Sequence, residues 1–404
     1  MTQFREERSV DLFAKCYNFT RAKEAIASGL YPYFRAIQSG PGSEVMIDGR
    51  KMIMIGSNNY LGLTGHPHVV EAAVKAIEKY GTGCTGSRFL NGTLDIHVIL
   101  EDRLARFMKR EAALVFSTGF QTNQGALSTV IGKDDLVFTD RADHASIVDG
   151  CRLAFGKVIK YKHNDMDDLE RVLKINSDKK AGKLIVTDGV FSMEGDIVRL
   201  PRLVELAAEH EARVYVDDAH SIGVLGKHGR GTGEHWGLED KVDLVMGTFS
   251  KSFASIGGFL AGEKDVIDYI KHLARALIFS ASMPPASVAT VIACLDIIEA
   301  EPERLEWLWK NTRKMQEGFK SLGFDIGLSE TPIIPIKIGE DDACFGFWKL
   351  LFDSGIFANP AISPAVPPHE AIIRTSYMAT HTEEELDRVL DIFERLGKQF
   401  GIIE

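Results

Sequence analysis

One lysine, Lys251, has the sequence context of an amine that forms imines with carbonyl compounds. It lies in the motif GTFSKS at residues 247–252, directly after the apolar run at residues 242–246. An imine-forming amine must be deprotonated part of the time, and burial favours the neutral amine. The following Gly257-Gly258 pair would let the backbone approach closely. A solvated loop lysine is the alternative, so the assignment depends on the residues that accompany Lys251.

Asp217 is the first of these companions, because it ends the apolar, strand-like run RVYVD at residues 213–217. Open α/β sheets bind their ligands at the carboxyl ends of the strands, which is where this carboxylate would emerge. A carboxylate there can pair with a protonated pyridine nitrogen, so Asp217 and Lys251 together indicate pyridoxal 5'-phosphate. His220 could hydrogen-bond the phenolic oxygen of that ring. A helix cap or a salt-bridge partner is the competing interpretation of Asp217.

A bound phosphate would need hydrogen-bond donors, and two segments could supply them. The motif STGF at residues 117–120 follows a strand-like run and opens a helical segment, so the amides of Gly119 and Phe120 would lie at a positive helix end. Thr248 and Ser250 could add hydroxyl donors. Taken by itself, STGF also fits a simple strand-to-helix turn.

Three further polar residues could act on a cofactor or substrate. His144 follows the strand-like residues 136–139 and could stack on a planar ring and donate a proton, although a lone histidine is more often structural. Arg374 lies in an apolar context where a guanidinium needs a partner, either a substrate carboxylate or a structural salt bridge. Asn59, in SNNYLG at residues 57–62, could help to hold that carboxylate or could only form a turn.

Two other patterns do not support their usual meaning. GTGCTG at residues 81–86 has the spacing of a dinucleotide-binding fingerprint, but a helical pattern precedes it where the fingerprint needs a strand. We expect a glycine-rich loop there instead. The run DDAH at residues 217–220 contains metal-ligand types without a second cluster, so no metal is predicted.

The elements that must position these residues follow from the alternation of short β-branched runs with helical patterns. Strands are predicted at residues 113–116, 136–139, 158–161, 184–187, 214–216 and 244–246. Such alternation is typical of βαβ units and of a mostly parallel sheet covered on both faces. One helix is expected to bury an apolar face made of Val69, Val70, Ala73, Ile77 and Tyr80.

Three regions are predicted along the chain. Residues 1–50 should form an N-terminal helical arm, residues 51–289 a large cofactor-binding α/β domain, and residues 290–404 a smaller α+β domain. A helix should run from Pro284-Pro285 to about residue 300. Thr382 and Glu385 predict a capping box at the start of the last helix.

Composition limits the partners and the location. The 404 residues include 47 Lys and Arg against 57 Asp and Glu, and this net charge of -10 argues against nucleic acid as the main partner. The 5 cysteines include no Cys-x-x-Cys pair, which favours a reducing compartment over a disulfide framework. Neither a secretory signal of the usual form nor a run of ~18 apolar residues is present. We therefore expect a cytoplasmic protein with at most peripheral contact at the inner face of the membrane.

Taken together, these residues resemble the α-oxoamine synthases, which are fold-type I pyridoxal-phosphate enzymes. The resemblance covers nearly the whole chain. Its markers are SNNYLG at residues 57–62, GCTGSR at 83–88, STG at 117–119, DHAS at 143–146, FSMEGD at 191–196, VDDAHS at 216–221 and GTFSKS at 247–252. It implies an aspartate aminotransferase-like α/β fold, with a mostly parallel central sheet flanked by helices and a smaller α+β C-terminal domain. It also implies a homodimer with its active site at the subunit interface.

The resemblance implies roles for the residues around the cofactor ring. Lys251 would carry pyridoxal phosphate as a Schiff base and move the substrate Cα proton. His144 would stack on the ring, and Asp217 would contact the pyridine nitrogen. His220 and Ser192 would reach the ring oxygen.

It also implies roles in binding the phosphate and the substrate. The phosphate would be held by Gly119, Phe120, Thr248 and Ser250. Ser280 would reach that phosphate from a second subunit, while Arg374 and Asn59 would orient the substrate carboxylate.

Members of this family condense an amino acid with an acyl-CoA and release carbon dioxide. Members that use glycine or alanine usually have Gly-Lys-Ala around the lysine, whereas Ser250-Lys251-Ser252 is similar to the subgroup that uses L-serine and a long-chain acyl-CoA such as palmitoyl-CoA. Glycine with acetyl-CoA is the alternative substrate pair. A catalytically silent partner subunit is the alternative from another class, although such a subunit would be expected to lack Lys251.

Overall fold

A seven-stranded sheet forms the centre of the protein in a computed structural model that describes residues 11–177 and 180–404. The helices are α1 (Ala14–Tyr17), α2 (Arg21–Ala27), α3 (Pro67–Tyr80), α4 (Asp95–Phe107), α5 (Gly119–Val130), α6 (Ala145–Leu153), α7 (Met166–Ile175), α8 (Leu200–Glu209), α9 (Thr232–Trp236), α10 (Lys264–Leu273), α11 (Arg275–Ile278), α12 (Pro285–Ala300), α13 (Glu303–Leu322), α14 (Asp341–Asp353) and α15 (Glu383–Phe400). The strands are β1 (Glu44–Ile47), β2 (Arg50–Met54), β3 (Ala112–Phe116), β4 (Leu136–Asp140), β5 (Lys157–Tyr161), β6 (Lys183–Asp188), β7 (Arg213–Asp217), β8 (Leu244–Thr248), β9 (Gly258–Gly262), β10 (Ile333–Gly339), β11 (Ile356–Phe357), β12 (Asn359–Ala361) and β13 (Ala371–Ser376).

The central sheet has the strand order β3-β9-β8-β7-β6-β4-β5. All neighbours pair in parallel except β9, which is antiparallel to both β3 and β8. All six predicted strands of this sheet are confirmed, as is its mostly parallel character. β9 was not predicted, because it is short and has a glycine at each end, Gly258 and Gly262, and glycine is uncommon in strands.

The C-terminal part of the chain builds a second hydrophobic cluster around the three-stranded sheet β10-β13-β12. Helices α13, α14 and α15 cover it, and α15 begins with the predicted capping box of Thr382 and Glu385. Strand β2 pairs with β1 on one side and with β11 on the other, and β1 and β2 place Val45 and Ile53 in this cluster. The three region boundaries stay a prediction, but β2 packs with the C-terminal elements and not with the central sheet.

The first helix after this strand pair, α3, buries only part of the expected face. Val69 and Ala76 are buried, whereas Val70 and Ile77 are 49% and 45% exposed. α3 packs against α12, which itself runs from Pro285 to Ala300 as predicted. The apolar surface of α3 is wider than the area that one neighbouring helix covers. The spacing of its apolar residues alone therefore could not select the buried face.

The N-terminal segment, from residue 11 to β1, contains two short helices, α1 and α2, with no buried residue in either. The first ten residues of the predicted arm lie outside the described part of the chain. No helix in the described ranges is long and apolar enough to cross a membrane.

Candidate active site

A pocket of about 340 Å³ opens at the carboxyl ends of the central strands. Three neighbouring strands end there in register, with Asp188 of β6 beside Asp217 of β7 and Asp217 beside Met246 of β8. The pocket is lined by Thr118, Gly119, Phe120, His144, Ser146, Asp188, Ser192, Asp217, Ala219, His220, Met246, Thr248, Ser250, Lys251, Ile256 and Gly257. Nine of the ten cofactor residues predicted from the sequence are in this lining, and the tenth, Ser280, is outside it.

Lys251 lies in the loop between β8 and β9, at the floor of the pocket. Burial lowers the pKa of Lys251 to about 8, although the carboxylates of Asp217 and Asp188 oppose that shift. Roughly a fifth of an amine with this pKa is neutral near physiological pH, and that fraction can attack a carbonyl. The geometry therefore suits imine formation at Lys251.

Asp217 is 3% exposed and its carboxylate is held by two donors. The backbone N–H of Ala219 donates to Oδ1 at 2.9 Å, and Nδ2 of Asn123 donates to Oδ2 at 2.6 Å. Two fixed donors orient the carboxylate toward the pocket. A protonated pyridine nitrogen would suit this site, since it is both a hydrogen-bond donor and a positive charge.

The N-terminus of α5 offers an anion site on another wall of the pocket. The side chain of Thr118 caps the helix by accepting from the backbone N–H of Gln121, while helix geometry leaves the amides of Gly119 and Phe120 without intrahelical partners. A Cβ at Gly119 would lie 2.6 Å from Oγ1 of Thr248, so only glycine leaves this space open. Amides, hydroxyls of Thr248 and Ser250, and a helix N-terminus together suit a phosphate.

His144 is the N-cap of α6 and lies at the rim of the same pocket. Its Nδ1 accepts from the backbone N–H of Ser146 at 3.2 Å and is 2.7 Å from the Ser146 hydroxyl. Its backbone N–H donates to Oδ2 of Asp188 at 2.9 Å. Partial burial lowers the pKa of His144, so the ring is neutral at physiological pH.

His220 is paired with a tyrosine that sequence reasoning did not single out. The hydroxyl of Tyr60 is 2.7 Å from Nδ1 of His220, and Tyr60 is fully buried. Burial raises the pKa of Tyr60 to about 12, so the phenol keeps its proton and donates it. Burial also lowers the pKa of His220 well below its usual range, and nearby Lys251 adds to this effect. When the Tyr60 hydroxyl donates to Nδ1, Nε2 of His220 carries the hydrogen, as a donor to a ring oxygen requires.

Arg374, on β13, is 5% exposed and has only neutral hydrogen-bond partners. Its Nε donates to the carbonyl of Ser192 at 2.6 Å and its Nη2 donates to Oδ1 of Asn58 at 3.0 Å. No carboxylate within the described ranges forms a salt bridge with it. A buried guanidinium without a counter-charge is suited to bind an incoming carboxylate.

The expectation for Asn59 does not fit its contacts. Its carboxamide is used inside the turn: Nδ2 donates to the carbonyl of Pro41 and to Thr64, and Oδ1 accepts from the backbone N–H of Leu63. Its neighbour Asn58 is the residue that contacts Arg374. Adjacent asparagines in a turn have identical side chains, so the sequence could not decide which one contacts Arg374.

Two serines near the site are placed differently from the rest. Ser280 does not line the pocket, and its hydroxyl accepts from Nε2 of Gln121 in the first turn of α5 at 2.8 Å. Its predicted contact with the phosphate of a second subunit stays a prediction. Ser252 is 1% exposed and packs against Gly223, away from the pocket.

Asp188 is a pocket residue that the sequence reasoning missed. Burial raises the pKa of Asp188 well above its usual range, and the nearby carboxylates of Asp217 and Asp143 add to this. A signal was available, because β6 ends in aspartate as β7 does, and both strands are parallel neighbours.

One group outside the pocket has the residue types of a metal site, namely His163, Glu194 and Asp196. Burial lowers the pKa of His163, but hydrogen bonds to Asp140 and Asp196 outweigh it and raise the pKa to about 10. His163 forms ion pairs with Asp140 and Asp196.

Comparison with known proteins gives consistent results over almost the whole chain. The model of aminotransferase class I and II matches residues 50–393. The serine palmitoyltransferase of Sphingobacterium spiritivorum is 55% identical over 385 residues, which cover 95% of this chain and 96% of that protein. The 8-amino-7-oxononanoate synthase of Thermoanaerobacter pseudethanolicus is 45% identical over 383 residues, or 95% of this chain and 97% of that protein.

A solved structure matches the fold equally well. It is a serine palmitoyltransferase variant from S. paucimobilis with a bound PLP–myriocin aldimine, and the two chains superpose with a TM-score of 0.94 at 36% identity. The match covers 98% of this chain and 100% of that one. The similarity therefore includes the central sheet, the pocket at the carboxyl ends of its strands and the C-terminal cluster.

Proposed function

This chain belongs to the aminotransferase class I and II family and, within it, to the α-oxoamine synthases, and we propose that it is a serine palmitoyltransferase. It condenses L-serine with palmitoyl-CoA, forming a bond between the serine Cα and the acyl carbonyl carbon and releasing CoA and carbon dioxide to leave 3-oxosphinganine. The observation that carries the proposal is the pocket that holds Lys251 and Asp217, together with the uncompensated charge of Arg374, which acts on Lys251. The greater identity to a serine palmitoyltransferase than to an oxononanoate synthase supports serine as the amino acid.

The cofactor is pyridoxal phosphate, which when bound supplies an electron sink for negative charge that develops at the substrate Cα. We propose that Asp217 holds its ring nitrogen, His220 and Ser192 its ring oxygen, and the amides of Gly119 and Phe120 its phosphate. Thr248 and Ser250 would add hydroxyl donors to that phosphate.

Lys251 would act twice in the reaction. Its neutral Nζ would be the nucleophile through which the cofactor is attached to the protein. Once the amine of serine has taken the place of Nζ on the cofactor, the released Lys251 amine would lie in the same pocket and accept the Cα proton. Because burial lowers the pKa of Lys251 to about 8, the amine both takes up and returns a proton near neutral pH.

Arg374 would bind the serine carboxylate, with Asn58 orienting the guanidinium through its 3.0 Å hydrogen bond. His144 would present its Nε2–H to the substrate from the rim of the pocket. These contacts would fix the substrate while the acyl-CoA approaches, which is how positioning contributes to rate.

The wider setting of the reaction is also part of the proposal. We propose that the enzyme works as a homodimer in the cytoplasm, with Ser280 of each chain near the partner's phosphate site, and that its product enters sphingolipid synthesis. Peripheral contact with the inner face of the membrane would give access to the long-chain substrate.

The test is CoA release from the purified enzyme with L-serine, glycine or L-alanine, each offered with palmitoyl-CoA or acetyl-CoA. We expect the highest kcat/KM for serine with palmitoyl-CoA, and no turnover above background for Lys251→Ala. Preference for glycine with acetyl-CoA would overturn the assignment. In Lys251→Ala we expect the visible absorbance of the bound cofactor to be lost, because the attachment lysine is missing. An unchanged circular dichroism spectrum shows that this loss is not caused by misfolding.

A further inference from the structure

A buried hydrogen-bond network lies behind the pocket and joins two residues of the site. Its centre is Asn123 on α5, which is 0% exposed and does not line the pocket. Nδ2 of Asn123 donates to Oδ2 of Asp217 at 2.6 Å and to Oγ of Ser146 at 2.8 Å. The hydroxyl of Tyr215 donates to Oδ1 of Asn123 at 2.6 Å. Both N–H hydrogens and the oxygen of the carboxamide are therefore used.

The orientation of this carboxamide follows from its partners. A flipped Asn123 would turn its oxygen toward the carboxylate of Asp217 and its NH₂ group toward the hydroxyl of Tyr215. The first contact would be repulsive, because both atoms are acceptors. Burial raises the pKa of Tyr215 well above its usual range, so its hydroxyl keeps the hydrogen that it donates. Only the observed orientation satisfies the group.

This orientation sets the direction of the next hydrogen bond. Oγ of Ser146 accepts from Asn123, so the hydrogen of Ser146 is available to Nδ1 of His144, 2.7 Å away. The backbone N–H of Ser146 also points at Nδ1, at 3.2 Å. A nitrogen that accepts from two donors carries no hydrogen, so the neutral His144 ring holds its hydrogen on Nε2.

We propose that Asn123 is a positioning residue that fixes the tautomer of His144, by setting the direction of the Ser146 hydroxyl, while it orients the carboxylate of Asp217. The inference rests on the proposed function only for its effect on turnover. The tautomer itself is a property of the protein that exists whatever the substrate.

The substitution Asn123→Asp should reverse the direction of the hydrogen bonds from position 123 through Ser146 to His144, with almost no change in side-chain size. A protonated carboxyl at position 123 can donate to Asp217 and accept from Ser146, which turns the Ser146 hydrogen away from His144. Oγ of Ser146 then becomes an acceptor for a hydrogen on Nδ1 of His144. Ser146→Ala removes the hydroxyl without reversing it, and Tyr215→Phe removes the donor that fixes the carboxamide.

The measurement is 15N NMR of the cofactor-loaded enzyme labelled in histidine, with the His144 signals identified by their loss in His144→Gln. We expect the Nε2–H tautomer in the wild type, a shift toward Nδ1–H in Asn123→Asp, and a smaller shift in Ser146→Ala. Reversing one hydrogen bond should lower kcat about tenfold while leaving KM for palmitoyl-CoA within about twofold. Tyr161→Phe is the matched control, because Tyr161 is equally buried but lies outside the network.

The proposal is overturned if Asn123→Asp and Ser146→Ala keep the wild-type tautomer, or if Tyr161→Phe lowers kcat as much. Should Asn123→Asp not fold, Ser146→Ala and Tyr215→Phe decide the question by the same readout. Failure of the serine assay would not affect the tautomer measurement, so the two proposals fail separately.

Discussion

Lys251 combines burial with two nearby carboxylates, and its lowered pKa makes a pH prediction possible. The neutral amine reacts with the cofactor aldehyde, and its fraction rises with pH until the pKa is passed. With a pKa of about 8, cofactor uptake by the cofactor-free protein should accelerate about tenfold per pH unit below pH 8 and level off above it. Stopped-flow absorbance at a series of pH values measures this rate.

The contrary result would be a rate that keeps rising toward the ordinary lysine pKa of 10.5. That outcome would mean that Lys251 is solvated, as the alternative interpretation of its sequence context holds. Lys251→Ala, which lacks the amine, supplies the baseline for noncovalent uptake.

Ser252 illustrates a residue whose sequence signal and structural position differ. A serine after the lysine is typical of the subgroup that uses L-serine. In the structure, however, the hydroxyl of Ser252 is buried against Gly223 and has no hydrogen-bond partner among the described residues. Removing an unsatisfied buried hydroxyl should not destabilise the protein. We expect Ser252→Ala to have an equal or higher Tm and a kcat/KM for serine within about twofold of the wild type.

Differential scanning fluorimetry and the CoA-release assay measure these two quantities. Ser250→Ala is the contrasting variant, because Ser250 lines the pocket and its loss should weaken cofactor binding. A change of preference from serine to glycine in Ser252→Ala would show that Ser252 selects the substrate after all.

Single residues were predictable where the chemistry needs one residue type at the end of a recognisable strand, as for Asp217 and Lys251. Prediction failed where the choice depends on the direction of a side chain in a turn, as for Asn58 and Asn59. The network around Asn123 was also out of reach, because its members lie on α5, α6 and β7 and meet only when the sheet is assembled.

At the scale of elements, the N-terminus of α5 is the part of the fold on which anion binding depends most directly. A Cβ at Gly119 would lie 2.6 Å from Oγ1 of Thr248 and 3.2 Å from Cε of Met246. Gly119→Ala should therefore weaken phosphate binding, with an expected loss of about tenfold or more in affinity for pyridoxal phosphate. Titration of the cofactor-free protein, followed by fluorescence, gives the Kd.

Ser128→Ala is a control at the other end of the same helix, where the hydroxyl donates a hydrogen bond to the backbone carbonyl of Gln124. Equal affinities of Gly119→Ala and the wild type would show that the phosphate is not held at this helix end. Circular dichroism checks that both variants keep the fold.

The elements themselves show which part of the fold the sequence encodes locally. The six parallel strands were predictable because each is a β-branched run with punctuation at both ends. β9 was not, because its strand character comes from pairing with β3 and β8 on both sides. The buried face of α3 was predicted only in part: Val69 is buried, but Val70 and Ile77 are apolar and remain exposed in the single chain.

At the scale of the whole molecule, large apolar side chains are exposed in the pocket lining and in the segments around Ser87 and Ala281, and Ala281 contacts Ser117 beside that lining. Phe120 and Ile256 line the pocket and are 39% and 50% exposed. Leu90 and Phe279, at 77% and 75%, belong to segments that are joined by the bridge between Ser87 and Ala281. Exposed apolar surface of this kind beside a binding site is typical of a partner interface.

If the proposed homodimer uses this surface, a charge placed on it should both separate the two chains and lower the enzymatic activity. Leu90→Asp should reduce the mass measured by light scattering from about twice 44.7 kDa toward one chain, because burying an unpaired carboxylate in an apolar interface is costly. Phe155→Asp is the matched control: Phe155 is 83% exposed but precedes β5, at the opposite end of the strands from the pocket. If the wild type has the mass of one chain and full activity, the active site is complete in a single subunit, and neither Ser280 nor the surface around Leu90 serves a partner.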